Sequence, residues 1–137
     1  MACLVRINLE SVLMGGRFND WYESLDLEDE YVITLNINGF YKRFPIASEY
    51  EHIMFPQEKT FNENVYTQVL DSEMVKIKIA VRVLEEDPAF DDDAKNILEF
   101  EIPSRNYFST LLTMDVRSKD NVEAILKFRM ILSQVSV

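Results

Sequence analysis

The chain contains the stretch Val75-Lys76-Ile77-Lys78-Ile79-Ala80-Val81-Arg82-Val83, followed directly by Leu84-Glu85-Glu86-Asp87-Pro88-Ala89-Phe90-Asp91-Asp92-Asp93. In the first part, β-branched residues alternate with basic residues and one alanine, which indicates a β-strand with one buried and one solvated face. The second part is crowded with carboxylates, which repel one another at neutral pH. We interpret it as an acidic loop that is either fully solvated or neutralised by a bound cation.

The same alternation recurs along much of the chain. It indicates further strands at residues 4–14, 31–37, 40–46, 61–70 and 97–102. Asn38-Gly39 separates two of these strands and predicts a tight hairpin, because both residue types accept the positive φ angles of a two-residue turn.

Two segments have more than one interpretation. Residues 106–116 fit either a short helix or a strand. The C-terminal segment fits a helix capped by Asp120, but its apolar residues also alternate from Ala124 to Leu132. We favour a closing strand, because the preceding sequence is rich in strands. Seven or eight short strands without a strong amphipathic helix predict an all-β fold, an antiparallel β-sandwich.

Length and composition indicate a globular protein. The chain has 137 residues, of which 47% are hydrophobic and 28% charged. We expect one domain, residues 1–137, with a core that is stable without disulfides. The single cysteine, Cys3, is expected to be a buried, inert thiol. One cysteine and no secretory signal fit a reducing, cytoplasmic compartment.

Charge and motif content restrict the function. The net charge of −10 argues against nucleic-acid binding and against unassisted binding to an anionic membrane. No apolar run approaches the roughly 20 residues of a transmembrane helix. The sequence has no Gly-rich phosphate loop, nucleophile elbow or zinc-ligand spacing, and its only histidine, His52, lacks companion ligands. We therefore expect a binding module and not an enzyme.

Three short motifs resemble those of the C2 domain, a calcium- and phospholipid-binding module, and they occur in that family's order. Asp29-Glu30-Tyr31-Val32 is similar to the family's Asp-Pro-Tyr-Val, and Phe61-Asn62-Glu63 is similar to its aromatic-Asn-Glu motif. The third is the acidic loop itself. The resemblance implies an eight-stranded antiparallel β-sandwich with Greek-key connections.

The resemblance also implies a calcium site built from two loops. In calcium-binding members the third loop carries two carboxylates one residue apart and a third after five more, a spacing that Glu85, Asp87 and Asp93 reproduce. The first loop carries two carboxylates with five residues between them, as Glu23 and Asp29 do. Glutamate stands at two positions where the family has aspartate. We expect calcium as the cofactor, because it accepts carboxylate oxygens without strict geometry.

Two further sets of residues follow from the resemblance. Trp21 and Phe90 lie in the two acidic loops, where family members insert apolar residues into lipid; alternatively, they pack under their own loops. Some members bind lipid head groups on a basic face, here represented by Lys42, Arg43, Lys76, Lys78 and Arg82. These residues also fit a solubilising role. The expected partner is an anionic phospholipid membrane or, for a metal-independent scaffold module, another protein.

Overall fold

Alternation of apolar and polar side chains organises the chain into β-strands. The computed structural model describes residues 2–14, 28–45, 51–54, 58–86, 92–117 and 123–135. Within these ranges the chain forms nine strands and no helix: β1 (Ala2–Met14), β2 (Glu28–Ile37), β3 (Phe40–Phe44), β4 (Glu51–Met54), β5 (Glu58–Asp71), β6 (Met74–Glu86), β7 (Asp92–Pro103), β8 (Phe108–Arg117) and β9 (Glu123–Gln134).

The strands form two antiparallel sheets. One has the order β5-β1-β9-β8, and the other has the order β3-β2-β6-β7, with β4 also paired to β2. Because β6 occupies one edge of β2 from Glu30 to Ile37, β3 and β4 pair in succession with its other edge. The nine described strands therefore fill eight positions, which confirms the predicted eight-stranded antiparallel sandwich. This two-sheet, all-β structure is compatible with a C2-like fold.

The chain crosses between the sheets repeatedly. β1 pairs with β5 and β9, while β2, the next strand in sequence, lies in the other sheet. Connections of this kind, between antiparallel strands of two sheets, are typical of Greek-key topology.

The inward faces of both sheets form one hydrophobic core. β6 alternates as predicted, with its five inward residues at most 2% exposed: Val75, Ile77, Ile79, Val81 and Val83. Opposite them lie the fully buried side chains of Ile7, Leu9 and Phe128 in the second sheet. Burial of each such side chain is worth about 1.5–3 kcal/mol relative to exposure.

The two ambiguous segments are both strands. In β9, alternate residues from Ala124 to Leu132 are at most 2% exposed, which confirms the closing strand. In β8, Met114 and Val116 are buried. A helix would have placed apolar positions at a period of 3.6, but the buried residues follow a period of two.

The predicted hairpin is present. Asn38 and Gly39 have φ angles of 51° and 90°, the left-handed region that this turn requires. The turn is also attached to β6, because the backbone N–H of Asn38 donates to the carbonyl of Lys78 at 3.1 Å, and the N–H of Lys78 donates to Oδ1 of Asn38 at 2.8 Å. The returning strand ends at Phe44, whereas the predicted end, residue 46, lies outside the described residues.

Cys3 is fully buried in β1, as expected. Burial raises the pKa of its thiol, so the unreactive protonated form predominates at neutral pH. In the part of the chain that the structure describes, no helix has the length and apolarity to cross a membrane.

Candidate functional site

Adjacent strands of the five-stranded sheet meet the two predicted acidic stretches at one end. β2 begins at Glu28, β6 ends at Glu86 and β7 begins at Asp92. Tyr31 pairs with Glu85, and Glu85 pairs in turn with Asp92. These backbone positions lie side by side at one end of the sheet. We call this region, comprising the start of β2, the end of β6 and the start of β7, the acidic end.

The predicted calcium ligands and lipid-inserting residues are described to different extents. Asp29 lies in β2 and Glu85 in β6, both at the acidic end, and the structure describes these two as backbone positions alone. Four residues lie outside the described residues: Glu23, Asp87, Trp21 and Phe90. The sharing of one ion among the five carboxylates stays a prediction.

Asp93 is the predicted ligand whose side chain is described, and two basic residues contact it. Nε of Arg82 donates to Oδ1 of Asp93 at 3.0 Å, and Nζ of Lys95 lies 3.7 Å from Oδ2. The hydrogen bond to Asp93, followed by the charge of that carboxylate, raises the pKa of Arg82 above its ordinary value. Asp93 is therefore partly neutralised by its neighbours on β6 and β7.

The donor chemistry at the acidic end suits a hard cation. Calcium takes six to eight oxygen ligands at about 2.3–2.6 Å, and carboxylates from separate strands meet that requirement. An ion there would compete with Arg82 and Lys95 for the carboxylate of Asp93. Among the described side chains, no group of three or more His, Cys, Asp or Glu residues lies close enough to hold a metal ion.

The outer face of the same sheet carries basic residues opposite acidic ones. Nζ of Lys76 lies 3.8 Å from Oε1 of Glu101, and Nζ of Lys78 lies 3.6 Å from Oε1 of Glu99. All four side chains are 54–77% exposed, and exposed pairs contribute about 0–1 kcal/mol to stability. At these positions the predicted head-group surface therefore carries compensating negative charge.

The strand register separates Lys42 from the other predicted head-group residues. Lys42 pairs with the core residue Leu35, whereas Arg43 pairs with Thr34, which itself pairs with Arg82. Directly paired residues share one face of a sheet. Arg43 therefore lies on the outer face with the basic residues of β6, and Lys42 lies on the opposite face. Head-group binding by the outer set stays a prediction.

The outer face also carries a shallow groove that the sequence does not predict. It has a volume of about 200 Å³, with Ala80 between Tyr41 of β3 and Ile97 of β7. Tyr41 is 62% and Ile97 57% exposed, and Arg82 and Lys95 also line the groove. Its residues come together through the register of strands that are distant in sequence, and no local pattern specifies that register.

No protein-family model matches the chain, and comparison with curated proteins gives no significant match. The chain is similar to a solved structure of human GIVD cytosolic phospholipase A2 in complex with methyl gamma-linolenyl fluorophosphonate, with 16% sequence identity and a TM-score of 0.49. The similarity covers 99% of this chain and 18% of that protein, so the chain spans less than a fifth of the length of the protein that it matches.

Proposed function

We propose that the chain is a C2-like binding module that binds calcium at its acidic end and docks peripherally on anionic phospholipid, without catalytic activity. The observation that supports this most directly is the pairing of Tyr31 with Glu85 and of Glu85 with Asp92. It brings acidic stretches from distant parts of the sequence to one end of one sheet.

The proposed ligands are Glu23, Asp29, Glu85, Asp87 and Asp93. Carboxylates from two loops would form an open cup, and the remaining coordination positions of the ion would accept lipid phosphate oxygens. Bound calcium would also reverse the sign of the local electrostatic field. An acidic protein would then approach an anionic membrane, and Trp21 and Phe90 would enter the lipid interface.

Thermal unfolding with and without calcium tests the metal site. A ligand that binds the folded state alone raises the melting temperature in proportion to the logarithm of its concentration above its Kd. We expect millimolar calcium to raise the melting temperature. The double substitution Asp87→Asn with Asp93→Asn should abolish that rise.

The matched control is Glu99→Gln with Glu101→Gln. It also removes two negative charges, but from a part of β7 that lies away from the acidic end. The control should keep the calcium-dependent rise. An unchanged melting temperature of the unsubstituted protein in millimolar calcium would contradict the proposed metal site.

Vesicle pelleting tests the membrane step. The protein should pellet with vesicles of phosphatidylcholine and phosphatidylserine in the presence of calcium, and it should stay in the supernatant when a chelator is added. Vesicles of phosphatidylcholine alone should not sediment it, because they lack the anionic head groups.

A second candidate function is a C2-like module that binds no metal and interacts with another protein. The contacts of Asp93 favour it, because Arg82 and Lys95 already compensate this carboxylate without an ion. The same melting experiment separates the two functions. Under the second candidate, calcium leaves the melting temperature unchanged.

A further inference from the structure

One side of the sandwich has a groove between β3 and β5, which are edge strands of different sheets. In the described part of the chain, no strand pairs with the second edge of either one. A cavity of about 220 Å³, lined by residues 40–42 and 64–68, lies there. We call it the β3–β5 groove.

Two aromatic pairs connect β3 with β5. The rings of Phe40 and Tyr66 meet edge to face with centroids 5.7 Å apart, and those of Phe44 and Phe61 do so at 5.3 Å. Lys42 lies between Phe40 and Phe44 on the same face of β3, since all three pair with core residues of β2. A cationic side chain therefore stands between two aromatic contacts.

Among the described residues that line the groove, Lys42 is the one that carries a charge. Its side chain is exposed, and it makes no ion pair or hydrogen bond with the described residues. The whole chain has a net charge of −10. A lysine that has no ion-pair partner among the described residues favours a binding partner that supplies one carboxylate, while a strongly acidic partner would be repelled by the rest of the surface.

The backbone of β3 offers hydrogen-bonding groups beside this lysine. Ile37 and Phe40 flank the two-residue turn, so they form the hydrogen-bonded pair that closes the hairpin. Hydrogen-bonded and non-hydrogen-bonded pairs alternate along an antiparallel ladder. The N–H and C=O of Tyr41 therefore point away from β2, toward the unpaired edge. An added strand would satisfy both groups.

We propose that the β3–β5 groove binds an extended peptide segment of a partner protein, with one acidic side chain among apolar residues. The peptide backbone pairs with β3 at Tyr41, its carboxylate pairs with Lys42, and its apolar side chains pack on Phe40. Phe40 is 50% exposed, and exposed aromatic residues are typical anchors of interfaces. This inference is independent of the proposed calcium site.

A phage-displayed random-peptide library, selected against the whole immobilised chain in chelator, tests the proposal. We expect selected peptides to share one Asp or Glu flanked by apolar residues. Lys42→Glu should weaken their binding at least tenfold, and a peptide with lysine in place of its acidic residue should bind this variant again. The matched control Arg105→Glu makes the same change of charge at an exposed residue outside the groove and should leave binding unchanged.

Two substitutions at Tyr41 test the backbone pairing. Tyr41→Pro removes the outward N–H without removing a bond to β2, a change that edge strands tolerate. Tyr41→Ala removes the same ring and keeps the N–H. We expect the proline variant to lose more affinity than the alanine variant, with both melting temperatures close to that of the unsubstituted protein.

Several results would overturn the proposal. They are a selection that yields no peptide, a selected peptide that binds Lys42→Glu unchanged, and amide chemical-shift changes outside residues 40–43 and 64–68. A different result would assign the groove to lipid. In that case the selection yields no peptide, the protein sediments with phosphatidylserine vesicles without calcium, and Lys42→Glu abolishes this sedimentation. None of these results depends on whether calcium binds at the acidic end.

Discussion

Asn38 and Tyr66 link the two sheets: Nδ2 of Asn38, in the turn between β2 and β3, donates to the hydroxyl oxygen of Tyr66, in β5, at 3.1 Å. The same amide nitrogen donates to the carbonyl of Lys76 at 3.0 Å, and Oδ1 accepts from the N–H of Lys78. The side chain of Asn38 thus connects the turn to the central strand β6 and to the opposite sheet.

Replacing this side chain tests its contribution to stability. Asn38→Gly keeps the positive φ angle of 51° but removes the side-chain bonds, so we expect a loss of about 2 kcal/mol of unfolding free energy. Urea denaturation measures it. Asn62→Gly is the matched control, because Asn62 also has a positive φ angle, 48°, and is exposed. A similar loss in both variants would attribute the effect to glycine itself.

Calcium affinity should respond to the residue that competes for Asp93. Arg82→Gln removes the guanidinium that donates to Oδ1 of Asp93 at 3.0 Å. If Asp93 is a calcium ligand, the freed carboxylate should bind the ion about twofold to fivefold more tightly, the range set by an exposed ion pair. Isothermal titration calorimetry measures this change. Lys78→Gln, which removes an ion pair elsewhere on the same face, should leave the affinity unchanged.

Acid stability should depend on Glu58. The pKa of this carboxyl is lowered mainly by a hydrogen bond from Ser11 and then by one from Lys127, whose Nζ lies 3.2 Å away. A carboxyl group whose pKa is lower in the folded state than in the unfolded state stabilises the folded protein. This stabilisation is fully present above the pKa of the unfolded state, about 4.3 for Glu, and is lost as the pH falls through the pKa of the folded state.

The consequence is a pH-dependent difference between the native protein and Glu58→Gln, which keeps a hydrogen-bond acceptor for Ser11. The native protein should melt at the higher temperature near neutral pH, and the two melting temperatures should converge at strongly acidic pH. Thermal melts across this range measure the difference. A difference that persists after acidification would assign the effect to packing and not to charge.

Local sequence patterns predict most of the strands. The period of two along β6 predicts every buried position of that strand, because both neighbours of a central strand lie in the same sheet and its inward face meets the core. The Asn38-Gly39 turn similarly predicts its own φ angles. In both cases the information lies within a few consecutive residues.

β-Bulges interrupt the alternation of buried and exposed side chains at positions that the local sequence does not predict. Ser11 and Val12 are both buried, and the pairing of β1 with β9 shifts between Leu9 and Ser11. In β5, Val65 and Tyr66 are both buried beside a second shift. An extra residue in one strand turns the following side chains to the other face, and this depends on the partner strand.

In the candidate site, too, some positions depend on local sequence and others depend on strand register. The prediction places Lys42 on the wrong face, although the turn contains the information: a two-residue turn pairs Ile37 with Phe40 and therefore pairs Lys42 with the apolar Leu35. The sequence does not predict that Lys76 lies opposite Glu101, since this pairing depends on the register of β6 against β7. The sequence therefore predicts which residues carry charge, while the register decides which charges meet.

The last strand offers the sharpest test of the fold, because its sequence also fits a helix. On a helix, Ile125 and Leu126 would both lie on the apolar stripe with Arg129 at its edge. In β9 they face opposite sides: Leu126 is fully buried, whereas Ile125 is partly exposed and pairs with Asp115. Leu126→Ala should therefore lower the unfolding free energy by about 2–5 kcal/mol, through lost burial and the cavity left behind. Ile125→Ala should lower it by less than about 1 kcal/mol. Urea denaturation of both variants measures the contrast, and equal losses would contradict the strand.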